Sequence, residues 1–244
     1  MKKRILIAAL FYFSLILAWT QDKKNNGIPL IGFDAPSFTA QSTNGVINFP
    51  EDFENDWKII FAHPLDFTPV CSSELLELAY SQDSFDNLGV SLLVVSRMSS
   101  LYAHANWKSA LEEIPYKGRD PVKINFPFIP DNDFQISDLY GMVPVGDNLG
   151  TNMRSVFIID PENKVRAVIH YPNEIGRNID EIKRTIVALQ IADEEDYLVT
   201  PANWKPGDDL MIRRGLEPFE KENLGNPDSS LYRYSWFMTF KKLD

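Results

Sequence analysis

The one cysteine in this chain of 244 residues, Cys71, lies in the stretch PLDFTPVCSSEL, residues 64–75. What a lone cysteine can do depends on its charge, because the thiolate is the nucleophile and an ordinary cysteine titrates at about 8.5. Three features of the stretch favour the thiolate. Pro69 and Val70 precede a run with helical spacing, so Cys71 falls in a first turn, where unpaired backbone N–H groups and the positive end of the helix dipole are available to the sulfur. Thr68 stands three positions upstream, within reach through a turn, and can donate or accept a hydrogen bond. Pro64 and Pro69 restrict the loop and favour a preorganised pocket. A cation would complete the arrangement, and His63, Arg154 and Arg177 are the candidates; only folding chooses among them. The competing reading is a buried cysteine acting as a small hydrophobe. Against it, Asp66, Thr68, Ser72 and Ser73 surround Cys71 with polar chain.

Other chemistries are less well served. One cysteine forms no intramolecular disulfide, so disulfide chemistry needs a partner thiol, and His63, His104 and His170 with Cys71 make no recognisable zinc spacing. The net charge of -10 argues against binding nucleic acid, which rests on phosphate neutralisation by Lys and Arg.

The elements that must position Cys71 follow from the hydrophobic pattern. Residues 28–38 read as an irregular lead-in, and Gly45–Phe49 as a short strand closed by Pro50. KIIFAH (58–63) is a buried strand entering a loop, and Leu75, Leu76, Leu78 and Ala79 carry a helix from Cys71 to about Phe85. VSLLVVS (90–96) is again a continuous apolar strand. Strand, crossover helix and strand form a βαβ unit, which predicts a mixed or parallel sheet with helices on its faces. A second helix is expected over Ala103–Glu113 and a short one over Gln135–Tyr140. Arg154–Ile159 and Val165–Tyr171 read as a hairpin, and Asn178–Ala192 as a long amphipathic helix. From about residue 193 prolines become frequent, yet the chain ends in YRYSWFMTFKKL, too aromatic for a solvated tail. A small C-terminal subdomain is expected, docked on the main domain or on a partner chain. At the other end, Lys2, Lys3 and Arg4 precede an apolar run over residues 5–19, the pattern of a secretory leader (residues 1–21) or, uncleaved, of a membrane anchor.

FAHPLDFTPVCSSEL resembles the peroxidatic-cysteine segment of peroxiredoxins, whose Pro-x-x-x-Thr-x-x-Cys signature is met by Pro64, Thr68 and Cys71, and the fuller form is similar to the one-cysteine, peroxiredoxin-6-like branch. The likeness continues through residues 28–50, 154–182, 188–193 and 200–209. It implies an α/β thioredoxin-like fold, with a mixed central sheet flanked by helices and a small C-terminal subdomain: a peroxidase domain over 28–192 and an extension over 193–244. It also implies thiol-dependent reduction of hydrogen peroxide and organic hydroperoxides, with no metal, haem or flavin cofactor. Cys71 would be the nucleophile, oxidised to a sulfenic acid that an external thiol resolves. Thr68 would hydrogen-bond peroxide and sulfur, Arg154 would hold thiolate and substrate, and Pro64 would shield the pocket. Glu74 and Arg177 would orient Arg154, with His63 nearby. A homodimer or higher homo-oligomer is the implied assembly, and the leader adds an exported location, periplasmic or secreted, or a membrane tether through residues 5–19.

The chain departs from the family in three places. Asp56 and Pro50 occupy the positions where some mammalian-type members carry a lipase serine and its helper histidine, so no phospholipase activity is expected. Arg97 and Met98 break the usual Ser-x-Asp-Ser pattern, although His104 and Trp107 keep the following His-x-x-Trp; His104 and His170 read as structural or surface residues. The leader is itself unusual in a mostly cytosolic branch. The alternative function is non-enzymatic, a redox sensor or holdase-type chaperone using the same cysteine. Without a Cys-x-x-Cys, thioredoxin-type disulfide reduction is disfavoured.

Overall fold

The computed structural model describes residues 28–144, 146, 150–213 and 230–243. Its centre is a five-stranded sheet in the order β5 (Phe128–Pro130), β4 (Val90–Ser96), β3 (Trp57–Ala62), β6 (Arg154–Ile159) and β7 (Val165–Tyr171). β3 runs parallel to β4 and antiparallel to β6, so the sheet is mixed. The unbroken apolar runs of these strands reflect cores on both faces. Ile59, Phe61, Leu92, Val94, Val156 and Ile158 point to one side, while Ile60, Ala62, Leu93, Val95, Phe157 and Ile159 point to the other.

The first face is covered by α1 (Pro69–Asp86), α2 (Leu101–Leu111) and α4 (Ile179–Glu194). The second lies under the hairpin of β1 (Phe38–Ser42) and β2 (Gly45–Phe49) and the short α3 (Gln135–Leu139). β1 shares only Phe38 with the lead-in and otherwise lies between it and the expected strand, in a stretch assigned no element; its residues are exposed or half-buried up to Ser42, so no apolar run announces a strand. α1 begins at Pro69, two residues before the expected start, with proline in the first turn, where its missing N–H costs nothing.

Beyond α4 a second sheet forms in the order β10 (Leu231–Ser235), β11 (Met238–Lys241), β9 (Leu210–Ile212) and β8 (Leu198–Val199). Leu198, Trp204, Leu210 and Ile212 make its small core, against which Val187, Ala188 and Ile191 of α4 pack, so the C-terminal subdomain docks on the main domain.

Arg97, one of the departures from the family pattern, has a structural occupation. Its guanidinium lies 3.9 Å from the Phe134 ring centroid and 3.6 Å from Asp138 Oδ1, fastening the loop after β4 to α3. The leader falls outside the described residues. The tether expected through residues 5–19, and the exported or membrane-anchored location drawn from it, are therefore corrected: among the described residues no helix is long and apolar enough to cross a membrane, so neither anchoring nor secretion has structural support.

Candidate active site

Three chain segments meet at one end of the sheet. β3 ends at Ala62 and the chain passes through His63–Thr68 into α1, placing Cys71 at the third helical position. The first helical bond runs from Ser72 N–H to Thr68 O, so the N–H groups of Val70 and Cys71 lie ahead of it with no carbonyl of the helix to serve. Because β6 is antiparallel to β3, with Phe61 opposite Val156, its first residue, Arg154, comes level with the loop leaving β3. Arg177 enters from the turn before α4.

Cys71 is fully buried, and Arg154 Nη1 donates to its Sγ at 3.3 Å and to Glu74 Oε2 at 2.8 Å. Arg154 Nε and Nη2 both donate to the carbonyl of Asn173, at 3.0 and 2.7 Å, which fixes the plane of the guanidinium. Glu74, one turn after Cys71 on α1, is the hub. Its Oε1 accepts from Arg177 N and Nε at 2.7 and 2.9 Å, and its Oε2 from Arg177 Nη2 at 2.8 Å. Arg177 Nη1 also donates to Ala62 O and Ser155 O, and its guanidinium lies 3.3 Å from the centroid of Phe61. Burial raises the Glu74 carboxyl, but the hydrogen bonds and charge of Arg177, with the charge of Arg154, outweigh it and hold Glu74 below the usual carboxylate range. Taken alone, an arginine at a strand start or ahead of a helix is a surface charge; both arginines are buried here because Glu74 and backbone carbonyls meet their donors.

The Thr68 hydroxyl donates to Leu65 O at 2.9 Å, not to the sulfur. Its oxygen keeps lone pairs with which to accept. Pro64 is buried beneath the loop. His63 packs on Trp107 of α2, ring centroids 5.1 Å apart. Burial first, then His104 and the two arginines, push its imidazole well below the ordinary range, so it is neutral at pH 7. His104 is buried as well, and its Nδ1 lies 2.9 Å from Asp66 Oδ2. The sequence reading assigned Asp66 and Trp107 no role at the site; the one available signal was the His-x-x-Trp spacing, which sets His104 and Trp107 on one face of α2.

A sole thiol, buried against a guanidinium at a helix start, is placed to act as a nucleophile on a substrate whose leaving group departs with negative charge. Comparison with known proteins agrees. The model of the AhpC/TSA family matches residues 31–168, and that of the C-terminal domain of 1-Cys peroxiredoxin matches residues 188–213. The chain belongs to the peroxiredoxin family, in its one-cysteine branch. A peroxiredoxin of Methanosarcina mazei is 43% identical over 218 residues, covering 88% of this chain and 98% of the relative. Among solved structures, yeast mitochondrial 1-Cys peroxiredoxin superposes with a TM-score of 0.77 at 34% identity, covering 88% of this chain and all of that one. Peroxiredoxin 6 of Arenicola marina gives 0.78 at 30%, covering 89% and 99%. This peroxiredoxin is accordingly a thiol-dependent peroxidase that works through a single cysteine resolved by an external thiol, on a thioredoxin-like fold with a small C-terminal subdomain.

Proposed function

We propose that Cys71 is the peroxidatic nucleophile and that Arg154, held by Glu74, Arg177 and Asn173, is the group that stabilises charge during the reaction. The Cys71 thiolate attacks the nearer peroxide oxygen, forming an S–O bond as the O–O bond breaks. Sulfur is oxidised by two electrons to sulfenic acid, and the departing oxygen takes the electron pair and then a proton, leaving as alcohol or water. Arg154 donates to the sulfur before reaction and to the developing oxyanion during it, joined by the N–H groups of Val70 and Cys71. Thr68, its hydroxyl proton committed to Leu65, accepts from the peroxide O–H and sets the angle of attack. Pro64 and His63 close the floor of the pocket. Two equivalents of external thiol then return Cys71 to the reduced state, giving a disulfide in the donor and water.

The observation that carries this reading is the 3.3 Å contact between Arg154 Nη1 and Cys71 Sγ, inside a network that leaves the guanidinium little freedom. Stopped-flow mixing of the reduced chain with hydrogen peroxide, followed by mass detection of one added oxygen on Cys71, tests it. Without a thiol, one peroxide should be consumed per chain; with one, turnover should continue. Retention of peroxide consumption in Cys71→Ser would exclude the assignment.

A further inference from the structure

At the same end of the sheet, close enough to the Arg154–Glu74 network for His63 to feel its arginines, lies a second polar group in which the peroxidase chemistry uses His63 only as a pocket wall and Asp66 and His104 not at all. His63 leaves β3, Asp66 sits in the following loop and His104 comes from the first turn of α2. All three are buried, and one ligand atom from each lies within 4.8 Å of the others. His63 Nε2 is 3.7 Å from Asp66 Oδ1, too far for a hydrogen bond. Asp66 Oδ1 and His104 Nε2 have no hydrogen-bond partner among the described residues, and the nitrogens of His63 have no well-formed one, only the backbone of Leu65 close by. Unpartnered buried atoms gathered on three side chains are an expensive interior unless something fills it.

We propose that His63, Asp66 and His104 form a binding site for one divalent transition-metal ion of the Zn2+ class, adjoining the peroxide site through His63. Two imidazoles and a carboxylate make the three-protein-ligand set that Zn2+ takes with water in the fourth position. Tetrahedral coordination at ordinary Zn–N and Zn–O lengths separates neighbouring ligand atoms by about 3.4 Å. The 3.7 Å between His63 Nε2 and Asp66 Oδ1 needs only a small closure to reach this. If His104 binds through Nδ1, its proton moves to the open Nε2 and the bond to Asp66 is exchanged for the metal. Arg154 and Arg177 are balanced by Glu74 and, on the reading proposed above, by the Cys71 thiolate, so the neighbouring network sets no net positive charge against the ion, and Asp66 supplies a negative one at the site. Entry is through the loop, because Leu65 and Phe67 on either side of Asp66 are exposed, Phe67 by 60%. The ion would tie that loop, which leads directly into Thr68 and Cys71, to α2.

The test uses the reduced full chain after chelator treatment, with Zn2+ alone as the probe. Titration calorimetry should show one saturable site per chain, and side-chain 15N spectra should show the ring nitrogens of His63 and His104 moving while those of His170 stay. These are the chain's three histidines, so the spectra identify the ligands without any substitution. His104→Gln and Asp66→Asn should each weaken binding by at least the ~10- to 100-fold that loss of an outer partner of a metal ligand costs, and His170→Gln should leave it unchanged. The proposal is overturned if no saturable binding occurs at micromolar Zn2+, if the His170 ring alone responds, or if the His104 and Asp66 variants, shown folded by circular dichroism, bind as the unsubstituted chain does.

Discussion

Replacing Glu74 with glutamine tests the network around Cys71 most directly, since it keeps the size of the side chain and removes its charge. Glu74 accepts four hydrogen bonds, one from Arg154 and three from Arg177. Glutamine has one acceptor oxygen, and its amide would face a guanidinium donor to donor. Two buried cations would lose their shared counter-ion, and breaking a buried ion pair in this way costs about 3–5 kcal/mol. With total stabilities of about 5–15 kcal/mol, that is a large share, and at a urea slope of about 2–3 kcal/mol/M it lowers the midpoint by about 1–2.5 M. The pH dependence has a definite sign. Glu74 is held below its ordinary range in the folded chain, so its contribution is fully present above the unfolded carboxylate value and is lost as pH falls through the folded one. Urea titrations of both chains at pH 7 and at steps down through the acid range should therefore converge at low pH. The peroxide reaction should slow by only about tenfold, the scale of one hydrogen bond to a charged group, because two of Arg154's donors remain on Asn173 O. A midpoint unchanged at pH 7, or a difference that stays constant into acid, would refute the account of Glu74 as the shared counter-ion.

Arg154→Met removes the donor to the sulfur and to the leaving oxygen together, and should lower the second-order rate with peroxide by about 100-fold or more, read by stopped flow under pseudo-first-order conditions. Thr68→Val, nearly the same shape, should cost about tenfold in the same assay through the loss of one hydrogen bond, with the thermal midpoint little changed because Thr68 is only half-buried. Trp107→Ala should lower stability by about 3–5 kcal/mol in urea, since this buried ring packs against His63, Phe67 and Phe128.

The central strands and the helix after Cys71 were legible because their patterns are extreme: VSLLVVS and RSVFII are apolar on both faces, and only a strand with a core on each side needs that. β8 to β11 were not, since β8 has two residues, β9 three, and β10 shows no clean alternation. The Thr68–Cys71 spacing pointed to the nucleophile, yet residue types alone did not choose among His63, Arg154 and Arg177. That choice depends on an antiparallel register setting Arg154 beside a helix start 83 positions earlier in the chain. His104 and Asp66, 38 positions apart, escaped for the same reason, because no local periodicity signals which polar side chains a helix and a loop will enclose between them.

Since the chain's sole sulfhydryl is wholly enclosed, it can serve as an internal clock. Alkylating reagents of graded bulk will report how often the first turn of α1 swings open, and by how much, with no competing label anywhere on the molecule. Reagents too large for such local breathing will react only at the pace of full unwinding, so one residue can time both motions.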